Sequence, residues 1–250
     1  MSEIQPHIFC KKGDVAKYVL LPGDPKRAEL IASHFDEAKK IVEYRQFVTY
    51  TGTFHGIPVS VTSTGIGCPA AAITVEELAR VGAEVLIRVG TTGGLQENVD
   101  IGDIVIATAA IRTDGATRAY APPEFPAVAD LEVCRALIRA AGELGAKYHV
   151  GVIWTSDAFY AENPEAVRLW GGLGALSVEM EASAIFLLSH LRGLRAGAIL
   201  AVDGNLVKGT KKGAFRPGEE KGELDRRVKR AIELETDIAL RAIEILERGE

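Results

Sequence analysis

Three observations predict an α/β fold. Short apolar runs rich in β-branched residues recur at residues 18–21, 57–64, 85–89, 104–109, 150–154 and 196–202. Helical patterns stand between most of them, and no stretch rich in Pro, Ser or Gly divides the chain. The expected architecture is a single domain over residues 1–250, three-layered α/β/α, with a central mixed, mostly parallel sheet.

The elements follow in order. Residues 18–21 read as a buried strand ending in the turn Pro-Gly-Asp-Pro, with a helix over residues 26–35. Residues 42–53 and 57–64 read as two strands joined by His55-Gly56. Gly65-Ile66-Gly67 then leads into a helix over residues 69–81, and residues 85–89 form a buried strand closed by Gly90. A helix over 131–144 separates the strands 104–109 and 150–154, and a short run at 178–180 leads into a helix reaching about His190. After the last strand, the tail places Val228, Ile232, Ala239, Ile243 and Leu246 at helical spacing, with Glu and Arg on the other face.

A chain of 250 residues with 47% hydrophobic and 25% charged residues is an ordinary globular composition. Its net charge of −5 argues against nucleic acid as a partner, and the run Lys-Gly-Thr-Lys-Lys at 208–212 reads as a solvated loop. No apolar run suits a membrane span, and the N-terminal segment lacks the basic-then-apolar order of a signal peptide. Cys10, Cys68 and Cys134 are odd in number and widely spaced, which fits a reducing cytoplasm rather than a disulfide framework or zinc site.

Three segments carry chemistry. In Gly23-Asp24-Pro25-Lys26-Arg27, Asp24 suits an N-cap and Pro25 the first helical turn, so backbone amides and Arg27 would face an anion; a plain capped turn with a surface arginine is the alternative. Arg88 stands inside the apolar run Val85–Val89, where a guanidinium needs an anionic partner. That partner is either a core carboxylate or a ligand anion beside Gly90-Thr91-Thr92-Gly93-Gly94, a segment that is neither a P-loop nor a dinucleotide fingerprint. Glu179-Met180-Glu181, at the start of a helix, could receive a sugar diol on its carboxylates and pack a thioether on the ring, or simply satisfy the helix dipole. Phe159-Tyr160 could stack on a flat base or cap the core. No metal motif occurs, and metal is expected at no site.

Together these residues resemble the hexameric nucleoside phosphorylases over nearly the whole chain. The anchors are PGDPKR (22–27), RVGTTGGLQ (88–96), DGATRAYAPPEFPAVAD (114–130) and VEMEASA (178–184), the third being closer to the uridine-cleaving branch than to the purine-cleaving one. The resemblance implies a pentosyltransferase that reversibly converts uridine and inorganic phosphate to uracil and ribose 1-phosphate, with no cofactor. Purine nucleoside or methylthioadenosine phosphorolysis is the alternative. It further implies that Gly23, Arg27, Arg88 and Thr91 hold phosphate, with Arg45 reaching in from a neighbouring subunit. His7, also from a neighbour, would meet the 5′-hydroxyl. Thr91, Met180 and Glu181 would hold the ribose, making Arg88 and Glu181 the catalytic pair. Thr92, Gly93 and Phe159 would border the base with Glu179 beside them. Shared sites imply a homodimeric unit, assembled into hexamers.

Two positions depart from that pattern. Where uridine phosphorylases carry a uracil-reading Gln and Arg, this chain has Asn163 and Glu165, with Arg168 one turn on as a replacement guanidinium. Where purine phosphorylases carry Ser-Asp, this chain has Asp203-Gly204. A water-using nucleosidase of the same fold would have no reason to keep Arg27, Arg45 and Arg88 together, and a non-catalytic nucleoside-binding module is the other class to separate by assay.

Overall fold

Among the described residues, ten strands interspersed with six α-helices join one sheet. The structure, a computed structural model, describes residues 3–161, 163–210 and 221–249. The sheet begins with β1 (Tyr18–Leu21), followed by α1 (Pro25–Ala32). A hairpin of β2 (Glu37–Tyr44) and β3 (Phe47–Phe54) leads to β4 (Ile57–Thr62) and α2 (Cys68–Val81). Next come β5 (Val85–Gly94), β6 (Ile104–Arg112), β7 (Ala127–Val128) and α3 (Leu131–Glu143). The chain continues with β8 (Tyr148–Thr155), α4 (Pro164–Gly172), β9 (Ser177–Glu179), α5 (Ala182–Leu191), β10 (Arg195–Asn205) and α6 (Lys221–Arg248).

The sheet is mixed. β1 runs parallel to β4 and β5, and β5 parallel to β10, whereas the β2–β3–β4 edge is antiparallel. β10 also pairs with β6, β6 with β8, β8 with β9, and β9 returns to β5, so five strands close a ring at one end. Side chains alternate across it: Tyr18 and Leu20 pack with α1, α3 and α6, while Val19 and Leu21 pack with α2 and α5. Helices on both faces give the three layers expected.

Local chemistry sets the boundaries. Asp24 and Asp130 cap α1 and α3 by accepting amide hydrogens of Lys26 and of Glu132 and Val133, and Gly82 ends α2 at a φ of 108°. The expected strand over 42–53 is instead two strands, turning at Arg45-Gln46 with Arg45 at φ 55°. The strand expected to close at Gly90 runs on to Gly94, because β10 pairs with it through that length. Among the described residues no helix is long and apolar enough to cross a membrane.

Candidate active site

Leu86 packs toward α2 and α5, so Arg88, two residues on, emerges on the same face. Arg88 is therefore inside β5 rather than at its end. It nonetheless reaches the sheet's margin, because β1 stops at Leu21, its register partner. The guanidinium folds back over Gly90, where a Cβ would lie 2.8 Å from Nη2. Nε donates to Glu179 Oε2 at 3.0 Å, Nη2 donates to Glu181 Oε2, and Nη1 is buried with no hydrogen-bond partner. The sequence left a core carboxylate and a ligand as alternatives for Arg88. The structure supplies two carboxylates and leaves one donor over. Burial opposes the arginine's charge, but Glu181 and Glu179 outweigh it and hold its pKa above the ordinary value. Burial pushes the Glu181 carboxyl up, against the pull of Arg88.

Glu179 has little left for a substrate. Its oxygens accept from the amides of Glu181 (2.8 Å) and Ala182 (2.9 and 3.0 Å) and from the Thr155 hydroxyl (2.7 Å), so it caps α5 while clamping Arg88. The sequence places it beside a base; in the structure its four donors, Arg88, Thr155, Glu181 and Ala182, are all protein groups. With a side chain 1% exposed, it points into the protein. Glu181 Oε1 accepts from the Gly67 amide at 2.6 Å, tying the start of α5 to the turn before α2. That turn is bound in its own right to the Pro22-Gly23 segment, Thr64 and Gly65 donating to the carbonyls of Pro22 and Gly23 at 2.8 and 3.0 Å. Four chain segments thus meet around Arg88.

Gly23 sits against this junction, since a Cβ there would come within 3.2 Å of the Gly65 carbonyl oxygen. Asp24 accepts from the Lys26 amide at 2.9 Å, and Arg27 follows in the first turn of α1. Arg27 Nη1 donates to Glu235 Oε1 at 3.2 Å. Thr91 lies beyond Arg88 on β5, paired in register with Ala201. Thr92 is buried and its hydroxyl donates to the Val178 carbonyl at 2.8 Å, while Gly93 abuts Leu206, 2.5 Å from the position of an added Cβ. Met180 is half-buried, its carbonyl receiving the Cys68 thiol at 3.3 Å.

Other expected residues take no part in the Arg88–Glu179–Glu181 hydrogen bonds. Arg45 is exposed on the hairpin tip, over the Tyr44 ring. His7 Nδ1 sits 2.6 Å from Glu77 Oε1, and the amides of His7 and Ile8 donate to the same carboxylate. Phe159 is half-buried in a short turn, edge-on to an exposed Tyr160. Arg168, Asn163 and Gln96 line a cavity of about 510 Å³ with Leu206 and Val207. Leu206 connects it to Gly93. Asn163 caps α4, accepting from the Ala166 amide at 2.7 Å. Asp203 falls where the pairing of β10 with β5 shifts register. Among the described residues no group of three His, Cys, Asp or Glu is arranged for a metal. Of the basic run at 208–212, Lys208 pairs with Asp100, and residues 211 and 212 lie outside the described residues.

With this geometry, comparison with known proteins is decisive. A profile described as the phosphorylase superfamily matches residues 17–244. The chain belongs to the phosphorylase superfamily. Among its relatives, a uridine phosphorylase of Thermococcus kodakarensis is 48% identical over 217 residues, 82% of this chain and 78% of that protein. A guanosine phosphorylase of Halorubrum lacusprofundi is 41% identical over 242 residues, 97% of this chain and 99% of that one. The crystal structure of a purine nucleoside phosphorylase from Toxoplasma gondii in complex with immucillin-H superposes with a TM-score of 0.89 at 32% identity, covering 100% of this chain and 99% of that one.

One residue of this phosphorylase was not singled out from the sequence. The tail helix was expected to keep its acids on the outer face, yet Glu235 is fully buried among Ala231, Ile238 and Ala239. Its partner there is Arg27, and burial outweighs that guanidinium, pushing the carboxyl up to about 8 so that the acid is mostly neutral. The signal was present in the spacing. Position 235 falls four residues from both Ala231 and Ala239, so an acid interrupts an apolar stripe.

Proposed function

We propose that this phosphorylase cleaves uridine with inorganic phosphate, giving uracil and ribose 1-phosphate reversibly, the whole chain acting as one catalytic domain. The observation that carries the phosphate half is Arg88, buried in the sheet with Nη1 unanswered beside the Pro22–Arg27 turn. Phosphate would sit between Arg88, Arg27, Thr91 and the amides at Gly23, where a helix N-terminus and two guanidinium groups favour a dianion. A phosphate oxygen forms the new bond to C1′ as the C1′–N bond breaks, and the base departs with the electron pair. The sugar becomes oxocarbenium-like on the way, and the bound anion faces that charge. Glu181 would receive the 2′- and 3′-hydroxyls, with Met180 against the ring.

His7 and Arg45, which meet Glu77 and the Tyr44 ring in their own chain, would act in a neighbouring subunit's site, making a homodimer the working unit and a hexamer of three dimers the assembly. The base would lie by Gly93, Thr92 and Phe159, with Arg168 reading its edge from the adjoining cavity. No cofactor enters the reaction. The three cysteines are free and buried, compatible with a reducing cytoplasm.

One observation favours a second reading. The guanosine phosphorylase relative matches this chain from end to end, and Asn163 and Glu165 stand where a uracil-reading pair was expected. Purine cleavage is therefore the alternative. Uridine, thymidine, inosine, guanosine, adenosine and methylthioadenosine, each with and without phosphate, separate these readings. Phosphate-dependent release of uracil as the fastest reaction supports uridine. Faster release of guanine or hypoxanthine replaces it with the purine reading, release without phosphate indicates a nucleosidase, and no release from any nucleoside indicates binding alone.

A further inference from the structure

Glu235 has no place in the reaction just described, yet it is a poor choice for a merely structural residue. Its side chain is 0% exposed, on the α6 face that otherwise packs Ala231, Ile238 and Ala239 onto the sheet. Oε1 accepts from Arg27 Nη1 at 3.2 Å, and Oε2 is buried without a hydrogen-bond partner. A carboxylate kept for stability alone would satisfy both oxygens, because each orphaned buried oxygen is costly. Resting on the phosphorolysis reading above, we infer that Glu235 is a positioning residue of the phosphate site, aiming the Arg27 guanidinium as a neutral carboxyl so that the charge of Arg27 is left to phosphate.

The charges around it support this. Arg27 of α1, the Ala201 backbone amide of β10 and Arg88 of β5 favour its ionised form, and Asp203 of β10 opposes it. Burial outweighs all of them and pushes the carboxyl up to about 8. An ionised Glu235 would share the field of Arg27 and Arg88 with a phosphate dianion, and two anions on one guanidinium repel. The proton that the buried carboxyl already holds at neutral pH avoids the conflict, and above about pH 8 phosphate has to bind together with a proton from solvent. The protonated carboxyl still offers an oxygen to Arg27, so the guanidinium keeps its orientation while its charge passes to phosphate.

The test compares Glu235→Gln and Glu235→Leu with the normal enzyme, measuring phosphate KM, nucleoside KM and kcat from pH 6 to 9, with inorganic phosphate binding by calorimetry in parallel. In the normal enzyme phosphate KM rises as pH climbs through the Glu235 titration. Glu235→Gln, neutral at every pH and still an acceptor, loses that rise, and comparing the two cancels the titration of phosphate itself. Glu235→Leu removes the acceptor and raises phosphate KM about tenfold or more at every pH, with nucleoside KM unchanged. In an Arg27→Ala background the Leu change adds nothing further. Coincident pH profiles for the normal enzyme and Glu235→Gln, or additive effects of Glu235→Leu and Arg27→Ala, overturn the inference. If the normal enzyme releases no base with phosphate, the phosphorolysis reading has failed. The calorimetric titration of phosphate at pH 9 still decides the role of Glu235, equal affinities and equal proton uptake in the normal protein and Glu235→Gln counting against it.

Discussion

Arg88 Nε lies 3.0 Å from Glu179 Oε2, with the arginine side chain 5% exposed and the glutamate 1%. Removing one partner from such a pair leaves an uncompensated buried charge, at a cost of about 3–5 kcal/mol. Arg88→Ala is therefore expected to destabilise the fold as well as weaken phosphate use. Arg88→Lys separates the two effects, since it keeps a cation near both carboxylates but loses the planar fork. We expect it to melt closer to the normal enzyme while raising phosphate KM about tenfold or more. An unchanged phosphate KM in Arg88→Lys sinks the assignment.

The two neighbouring glutamates should part company under mutation. Glu179 holds the amides of Glu181 and Ala182 and the Thr155 hydroxyl, so Glu179→Gln should lower stability by about 1–3 kcal/mol, read by denaturant unfolding. Glu181→Gln should act on catalysis through the ribose diol. Its effect should be larger on uridine than on 2′-deoxyuridine, narrowing the ratio of their kcat/KM values. An equal loss on both substrates would assign Glu181 to the scaffold.

Much of this was legible beforehand, and the failures have physical reasons. The parallel strands announce themselves as β-branched runs because helices bury both of their faces. By contrast, β2 (Glu-Ala-Lys-Lys-Ile-Val-Glu-Tyr) is an exposed edge strand, with its charges facing water and no apolar alternation to find. Its turn at Arg45-Gln46 lacks the glycine that a two-residue hairpin loop usually advertises, and Arg45 takes the left-handed conformation itself. Arg88 was legible because a charge inside an apolar strand demands a partner. Its first partners, however, are Glu179 and Glu181, which sit 91 and 93 residues along the chain. Glu235 was hidden because an acid on a surface helix normally faces solvent.

Stability should carry the signature of that buried acid. Glu235 has its folded pKa raised from an ordinary 4.5 to about 8, by burial first of all, with Arg27 pulling the other way. The folded state therefore holds a proton that the unfolded chain releases between these values. This contribution is fully present below the unfolded pKa and is lost as pH rises through about 8, with a slope of up to about 1.4 kcal/mol per pH unit. Urea midpoints measured from pH 5 to 9 should fall more steeply for the normal protein than for Glu235→Gln. Parallel curves would show that Glu235 is not the group responsible.

Base selection should be sensitive to Arg168, which is exposed on α4 beside the cavity lined by Gln96, Leu206 and Val207. Arg168→Ala removes no buried contact, so its melting temperature should hold. If its guanidinium reads uracil, nucleoside KM should rise about tenfold, the worth of one charge-assisted hydrogen bond. Phosphate KM should stay put. No change in either constant would move base reading to other residues.

Gly90 offers the last and most local test of how the site is built. It occupies the ladder between β5 and β10, opposite Leu200, in a segment where any β-forming residue would suit the backbone. Its lack of a side chain matters for Arg88, because a Cβ at Gly90 would stand 2.8 Å from Nη2 and 2.9 Å from Cζ. The guanidinium cannot yield sideways without leaving Glu179 or Glu181, which hold it from its Nε and Nη2 sides. Gly90→Ala should therefore push Nη1 off the phosphate position while leaving the charge count intact. We expect phosphate KM to rise about tenfold or more, as a misplaced fork loses at least one charge-assisted bond. The cost in stability should be modest, about 1–3 kcal/mol for the overpacked site. A Gly90→Ala enzyme with normal phosphate KM and normal stability would mean that Arg88 has a second orientation equally good for the anion.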